Sequence, residues 1–241
     1  SDFAAVQPLL EPVLASYPDD IDALNLTSNA LLQEGKTSEA IELLSRVAQL
    51  QPDSAEAKVR LGAGLLMDGK GDDALQPIQS ALEMNPNIPM ADMLLVLNYM
   101  KKKDYPAAIA AAEDYQKRNP DVVAPLNLLG RVYQESGKVD EARNAFQRAL
   151  ALDSADQGAN SYLAQLALAD NDLVTARNHY RTILAANPNS HQALIQLASL
   201  DAREGQEKAM VDHLETAMAV APTALAPRVL LARYYLAKDK P

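Results

Sequence analysis

The stretch MNPNI, residues 84–88, has the composition of a loop, because Asn and Pro interrupt the helical apolar patterns on either side of it. Similar phrases recur as SYPDD (16–20), LQPDS (50–54), RNPDV (118–122), ANPNS (186–190) and VAPTA (220–224). Pro18, Pro52, Pro86 and Pro120 are 34 residues apart, the next step of 34 falls on Ser154, and two further steps fall on Pro188 and Pro222. A fixed spacing with one missing proline indicates a repeat array.

The repeat boundaries follow when the proline is placed at position 32 of a 34-residue unit. The chain then reads as a single array made of a half repeat 1–20, the full repeats 21–54, 55–88, 89–122, 123–156, 157–190 and 191–224, and a half repeat 225–241. Because the array begins and ends in the middle of a repeat, we expect it to be a segment of a longer one.

Each repeat contains two apolar patterns of helical period. The first ends at position 15, which is Gly35, Gly69, Gly137, Asn171 or Gly205. Glycine enters the left-handed conformation freely and Asn tolerates it, so this position predicts a helix stop. The second pattern ends at the proline turn. Each repeat is therefore predicted to be a helical hairpin, and the fold class to be all-α.

The spacing of large and small residues resembles that of the tetratricopeptide repeat (TPR) family over the whole chain. The repeat that begins at Val123 matches the family pattern best, with Leu126, Leu129, Gly130, Tyr133, Ala142, Phe146 and Ala149. Position 7 is Leu in every later unit, with Thr27 as the exception, and position 20 is Ala except at Met210. The resemblance implies a right-handed superhelical array of helix-turn-helix repeats, with about 14 helices.

Some residues depart from the pattern. Repeat 89–122 has Asp92 at position 4, Val96 where a small residue is usual, and Lys103 where Gly is usual, so its hairpin turn is expected to be strained. We also expect Pro77 to bend the helix that contains it, and Pro8 with Pro12 to make the first helix irregular. At the other end, Leu231 and Tyr235 are expected to lie uncovered.

Composition excludes several classes of function. The net charge of −10 offers no positive field for a nucleic-acid backbone. The absence of Cys excludes thiol catalysis, disulfides and thiolate metal sites. We find no apolar run long enough to span a bilayer and no signal peptide, so this segment is not expected to insert in a membrane.

The sequence contains no convincing catalytic or metal-ligating constellation. His179 and His213 both occupy position 23 of their repeats, a spacing that does not suit metal ligation, and are expected to be exposed or half-buried. Gly62 and Gly64 are interpreted as packing glycines, since no strand precedes them and no phosphate-loop Lys follows. Asp201 is expected to cap or pair locally. We therefore predict a non-catalytic binding scaffold without cofactor or metal.

In TPR proteins, positions 2, 5, 9 and 12 of each first helix line a concave groove that holds segments of partner proteins, and we call these positions the groove stripe. The resemblance assigns to the groove stripe Asn25, Asn29, Val59, Ala63, Leu66, Met90, Met93, Leu97, Met100, Asn127, Arg131, Gln134, Ser161, Gln165, Ile195, Ser199 and Arg233. The Lys residues that flank Asn in chaperone-binding TPR domains are missing, which disfavours a chaperone adaptor.

The groove stripe is apolar in repeats 55–88 and 89–122, where it includes three Met residues. Met suits adaptable binding surfaces. Two interpretations stay open here: a contact surface for a partner segment or a second copy of the chain, or a rotated repeat whose Met residues fill the core.

Two longer stretches, residues 161–200 and 221–241, resemble bacterial TPR lipoproteins that accompany exopolysaccharide export and protein-sorting (PEP-CTERM) gene clusters. That resemblance implies a periplasmic, membrane-anchored scaffold in a bacterium, with a cytoplasmic location left open. The alternative is the TPR arm of a larger enzyme or regulator, such as a glycosyltransferase, whose active domain lies outside these residues.

Overall fold

The computed structural model describes residues 5–238, which form fourteen α-helices and no strand. The predicted helix count and the all-α fold class are confirmed. The helices are α1 (Val6–Ser16), α2 (Ile21–Gln33), α3 (Thr37–Leu50), α4 (Ala55–Met67), α5 (Gly71–Met84), α6 (Pro89–Lys101), α7 (Tyr105–Arg118), α8 (Val123–Glu135), α9 (Val139–Leu152), α10 (Gln157–Ala169), α11 (Leu173–Ala186), α12 (His191–Arg203), α13 (Glu207–Val220) and α14 (Leu225–Lys238).

The chain separates into two compact units, Ser1–Pro120 and Asp121–Pro241, with the boundary at an inter-repeat proline turn. The first unit holds α1 to α7 and the second holds α8 to α14. Within each unit the two helices of a repeat pack on each other, and the second helix also packs on the first helix of the next repeat. The predicted array of 34-residue hairpins is therefore confirmed in both units.

Hairpin turns form at position 15 as predicted. Gly35, Gly69, Gly137 and Gly205 have φ between 72° and 79°, and Asn171 has φ of 58°. In the first of these turns the amide of Lys36 donates to the carbonyl of Leu31 at 2.9 Å, which satisfies a carbonyl at the end of the helix. Lys103 adopts the same conformation with φ of 58°, so this turn forms without the glycine that suits it.

Position 34, directly after the inter-repeat turn, starts several first helices. The side chains of Asp20, Ser54, Asp156 and Ser190 each accept a hydrogen bond from the backbone amide three residues on. These N-caps satisfy amides that have no partner inside the helix. The 34-residue repeat thus places a helix stop at one turn and a helix start at the other.

Small residues let the helices of a hairpin approach closely. Ala40, Ala74, Ala108, Ala142 and Ala176 at position 20 are completely buried. A Cβ atom built on Gly130 would lie 2.6 Å from the ring of Phe146, which stacks on Tyr162 with a centroid distance of 4.7 Å. The interpretation of Gly62 and Gly64 as packing glycines is confirmed, since a Cβ on either would meet the buried side chain of Ile78 or Leu44.

Two buried carboxylates, Asp92 and Asp201, are paired with polar side chains of neighbouring helices. Asp92 accepts hydrogen bonds from the guanidinium of Arg118; burial raises the pKa of Asp92, and Arg118 opposes this. Asp201, which is fully buried, pairs with Arg177 at 2.7 Å and with His213 at 2.7 Å. The prediction that Asp201 pairs locally is therefore confirmed.

Two expectations about the ends of the chain need correction. The helix α1 is continuous from Val6 to Ser16 in spite of its prolines. Pro8 lies in the first turn, where the amide has no partner within the helix, and Pro12 removes a single hydrogen bond. Leu231 is half-buried against the cluster of Ala198, Met210 and Leu214, whereas Tyr235 is exposed as expected.

Pro77 lies inside the uninterrupted helix α5.

Candidate functional site

Most of the groove stripe lies outside the buried core in both units. The exposed members are Asn29, Met90, Met93, Gln165, Ser199 and Arg233, and the half-buried members are Asn25, Ala63, Leu66, Leu97, Asn127, Arg131, Gln134, Ser161 and Ile195. The stripe results from helix geometry, because positions 4, 7, 8 and 11 turn the opposite side of each first helix toward the core.

Val59 and Met100 are corrections to the predicted site, since both are buried, with exposures of 5% and 6%. Val59 belongs to the core cluster that contains Ile78 and Ala91. The helices α4 and α6 also contact each other directly, so the sides on which they face each other are covered. Apolar residues at these positions therefore stabilise the first unit and are not available to a partner.

Met90 and Met93 are accessible instead, with exposures of 50% and 38%. The two interpretations of the Met-rich repeat thus each apply to part of it: Met100 fills the core, whereas Met90 and Met93 form an exposed apolar pair. Leu97 is half-buried, so its exposure lies between that of Met93 and that of Met100. Exposed thioether side chains next to one another provide an adaptable apolar surface.

Polar members of the stripe make few hydrogen bonds. The amide of Asn127 donates to the carboxylate of Asp156 at 2.8 Å, and Ser199 donates to the carbonyl of Ile195 at 3.0 Å. The side-chain carbonyl oxygens of Asn25 and Asn127 are buried without a partner among residues 5–238. A buried oxygen without a donor is costly, so these two side-chain amides are the least satisfied polar groups of the groove stripe.

The charge on the groove stripe differs between the units. In the first unit the stripe positions also include Asp22 and Glu56, both at position 2, and no cation, whereas in the second unit they carry Arg131 and Arg233 and no carboxylate. Within the described part of the chain neither arginine has an ion-pair partner. The chain as a whole is acidic and repels anions. The stripe of the second unit is cationic, so it differs in charge from the chain as a whole.

The histidines lie at different sites, as their spacing indicated. His179 and His213 are half-buried and His191 is exposed. The Nδ1 atom of His179 lies 2.8 Å from the side-chain oxygen of Asn160, and burial lowers the pKa of His179. Among residues 5–238 no group of three or more His, Asp or Glu side chains is placed to hold a metal ion, and no helix is long and apolar enough to cross a membrane.

Sequence reasoning missed position 3 of the first helices and, apart from Gly64, position 10, both of which are buried in all six full repeats. Position 3 is always Ala or Pro, as in Ala23, Pro125 and Pro227, and this restriction was a readable signal. It also missed a pocket in the second unit beside Ser199 and Arg233, formed with Met210, Leu230 and Tyr234. The signal for that pocket was Ala202, the smallest residue at position 12 in any repeat.

Two family models of the tetratricopeptide repeat match the chain, one at residues 127–198 and the other at residues 1–63 and 31–97. Together they cover more than half of the sequence.

Similar proteins include tetratricopeptide repeat protein 1 of Schizosaccharomyces pombe, 26% identical over 123 residues, which are 50% of this chain and 12% of that protein. Tetratricopeptide repeat protein 21 homolog of Caenorhabditis elegans is 30% identical over 95 residues, 39% of this chain and 7% of that protein. The chain thus spans a small part of these curated relatives.

Among solved structures, pilF of Pseudomonas aeruginosa is similar with a TM-score of 0.64 and 18% identity, covering 88% of this chain and 97% of that one. This likeness concerns the fold, an all-α superhelical repeat architecture.

Proposed function

We propose that this chain, which belongs to the tetratricopeptide repeat family, is a non-catalytic scaffold that binds segments of partner proteins along its groove stripe. Proteins of this family are generally interaction scaffolds, and their repeats bind proteins or peptides. The observation that carries the proposal is that the first helices expose side chains such as Met93, Gln165 and Arg233, which no part of the core requires. Exposed apolar and unpaired polar groups on one helix face are typical of a contact surface.

The setting we propose is the bacterial cell envelope, where the scaffold serves polysaccharide export or protein sorting in the periplasm from a membrane-anchored position. The support is the resemblance of residues 161–200 and 221–241 to TPR lipoproteins of such systems. A second copy of the chain is a further candidate partner, since α14 exposes Leu225, Tyr235 and Leu236.

The alternative proposal is the repeat arm of a larger enzyme or regulator. It is favoured by one observation: the regions of the two curated relatives that match this chain are 12% and 7% of their lengths. A catalytic domain in the same gene would support this alternative, whereas a lipid-attachment signal with further repeats would support the envelope scaffold.

Photo-crosslinking in cells tests the scaffold proposal. A crosslinking amino acid is placed at Met93 or at Ser199 on the groove stripe, and at Gln76 or Gln147, exposed on second helices, as matched controls. We expect discrete crosslinked partners from the stripe positions and not from the controls. Equal crosslinking from both sets of positions, or none from the stripe, would contradict the proposal.

Paired substitutions separate binding from folding in the first unit. Met93→Asp places a charge on an exposed side chain and is expected to preserve the helical fold while weakening the crosslinked complex, since apolar anchors dominate binding. Met100→Asp places the same charge on a buried side chain and is expected to unfold the unit. Circular dichroism measures the fold. Loss of the fold in Met93→Asp would assign Met93 to the core and remove this part of the surface.

A further inference from the structure

The second unit contains a pocket of about 400 Å³ between α12, α13 and α14. Its walls are largely apolar: Ala198 and Ala202 come from α12, Met210 and Leu214 from α13, and Leu230 from α14. Arg233 lies at the same pocket and is exposed. All three walls belong to one unit, so the pocket exists wherever this unit is folded.

The pocket owes its volume to a small residue in the repeat pattern. Position 12 is Leu32, Leu66, Met100, Gln134 or Leu168 in the other full repeats, whereas it is Ala202 here. Leu66, the residue at this position in α4, packs against the core cluster of the first unit. Replacing such a side chain by Ala leaves space that the surrounding helices do not close.

Arg233 is the charged side chain that lines the pocket, and it has no ion-pair partner among residues 5–238. The neighbouring hydroxyl of Tyr234 donates to the carboxylate of Glu207 at 2.7 Å, and Lys238 pairs with the same carboxylate at 3.0 Å. These contacts hold the pKa of Glu207 below its usual range, so that carboxylate is ionised and already engaged. Arg233 has no such partner in the described range 5–238, and no carboxylate lies on the groove stripe of this unit.

We infer that this pocket binds an apolar side chain of an acidic partner segment, with a carboxylate of that segment paired to Arg233. The inference rests on the proposed function and adds the chemistry of the ligand. Burial of an aliphatic side chain supplies the affinity, because it leaves water for a preformed apolar cavity. The arginine fork supplies selectivity for a carboxylate over an uncharged group.

Titration with short peptides tests this chemistry by NMR of the ¹⁵N-labelled protein. The probe is N-acetyl-Leu-Asp-amide, and the controls are N-acetyl-Leu-Asn-amide and N-acetyl-Ala-Asp-amide. We expect shifts of the amides of Ala198, Ala202 and Leu230 with the probe. Binding should be about tenfold weaker or more without the leucine side chain, and about two- to fivefold weaker without the carboxylate.

Two variants locate the binding. Ala202→Leu fills the pocket with the residue that the array carries at 32, 66 and 168, so it should fold normally and lose the probe. Arg233→Glu, on an exposed side chain, should abolish the preference for the Leu-Asp probe over the Leu-Asn control. Lys208→Glu makes the same charge change at an exposed residue outside the pocket and should bind as the unmodified protein does.

The inference is overturned if the probe shifts residues elsewhere, or if a folded Ala202→Leu and Arg233→Glu bind it unchanged. It is also overturned if the Leu-Asn control binds as well as the probe. These results leave the proposed function standing when partners still crosslink at Met93 or Ser199. Conversely, probe binding in the pocket without any crosslinked partner would count against the proposed function alone.

Discussion

Gly130 determines how closely α8 and α9 approach in the second unit. The ring of Phe146 occupies the space into which any side chain at 130 would project, and Ala142 on the facing helix is completely buried. Larger side chains at either position must displace well-packed neighbours, and such overpacking is costly in a dense core.

We therefore predict that Gly130→Leu and Ala142→Leu each lower the free energy of unfolding by about 1–3 kcal/mol. Ala151→Leu, at an exposed site of the same helix as Ala142, is the control and should have little effect. Chemical denaturation monitored by circular dichroism measures the difference. Equal stability of all three variants would show that the interface is looser than the structure indicates.

Lys103 carries the clearest backbone strain in the first unit. Its φ of 58° places a side chain in the left-handed region, where every other hairpin turn except that of Asn171 has glycine. The turn still forms because the amide of Asp104 donates to the carbonyl of Tyr99 at 2.9 Å. The strain expected for the MKKKD turn is thus local to one residue.

Lys103→Gly should raise the free energy of unfolding by about 0.5–1 kcal/mol, because relief of left-handed strain outweighs the added chain entropy of glycine. The reverse change, Gly69→Ala at φ of 78°, should lower it by about 1–2 kcal/mol. Both are measured by thermal and chemical unfolding. A destabilised Lys103→Gly variant would mean that the lysine side chain makes a stabilising contact of its own.

At the scale of the helix, the turn at Ser154 has nearly the same backbone conformation before it as the turn at Pro86. Asn85, before Pro86, has φ of −143° and ψ of 99°, and Asp153, before Ser154, has φ of −140° and ψ of 100°. An extended residue before proline is the conformation that proline requires. Serine therefore replaces proline at position 154 while the residue before it keeps the same backbone conformation.

We predict that Ser154→Pro is neutral or stabilising by up to about 1 kcal/mol, because proline restricts the unfolded chain. The backbone amide of Ser154 donates to no group within residues 5–238, and its carbonyl, which accepts from Asn160 at 3.0 Å, is retained by proline. The melting temperature is the measurement. A large decrease would show that this turn requires the serine amide.

The polar pairs act at the same scale, by linking helices of successive repeats. Arg177 on α11 reaches Asp201 on α12 at 2.7 Å and Glu204 at 3.0 Å. A buried carboxylate is tolerated only when a cation and hydrogen bonds compensate its lost hydration. These pairs therefore link consecutive helices in addition to their apolar contacts.

At the scale of the whole chain, each unit carries its own core. The clusters around Phe146, Tyr180 and Leu214 all lie within residues 121–241. In a repeat protein, stability is the sum of local repeat and neighbour terms. We therefore predict that residues 121–241, expressed alone, form a helical and cooperatively melting protein. A non-cooperative melt or a disordered spectrum would contradict this.

The two units also differ in what they offer to a partner. The stripe of the first unit combines Asp22 and Glu56 with exposed Met90 and Met93, whereas the stripe of the second combines polar amides with Arg131 and Arg233. If the groove stripe binds partner segments as proposed, electrostatic complementarity favours segments of different charge at the two units.

Much of the fold was predictable from the sequence because its determinants are local and repeated. The determinants are the helix stops at residues such as Gly35 or Asn171, the prolines spaced 34 residues apart and the alanines at position 20. Each of them acts on neighbouring residues or on the next repeat, so the successive repeats reinforce each pattern. The tertiary structure alone decided that Val59 and Met100 are buried and Met93 is exposed, because this depends on how closely α4 and α6 approach. It also decided that Ala202 leaves a pocket beside Arg233, since an empty volume depends on three helices at once and no single stretch of sequence describes it.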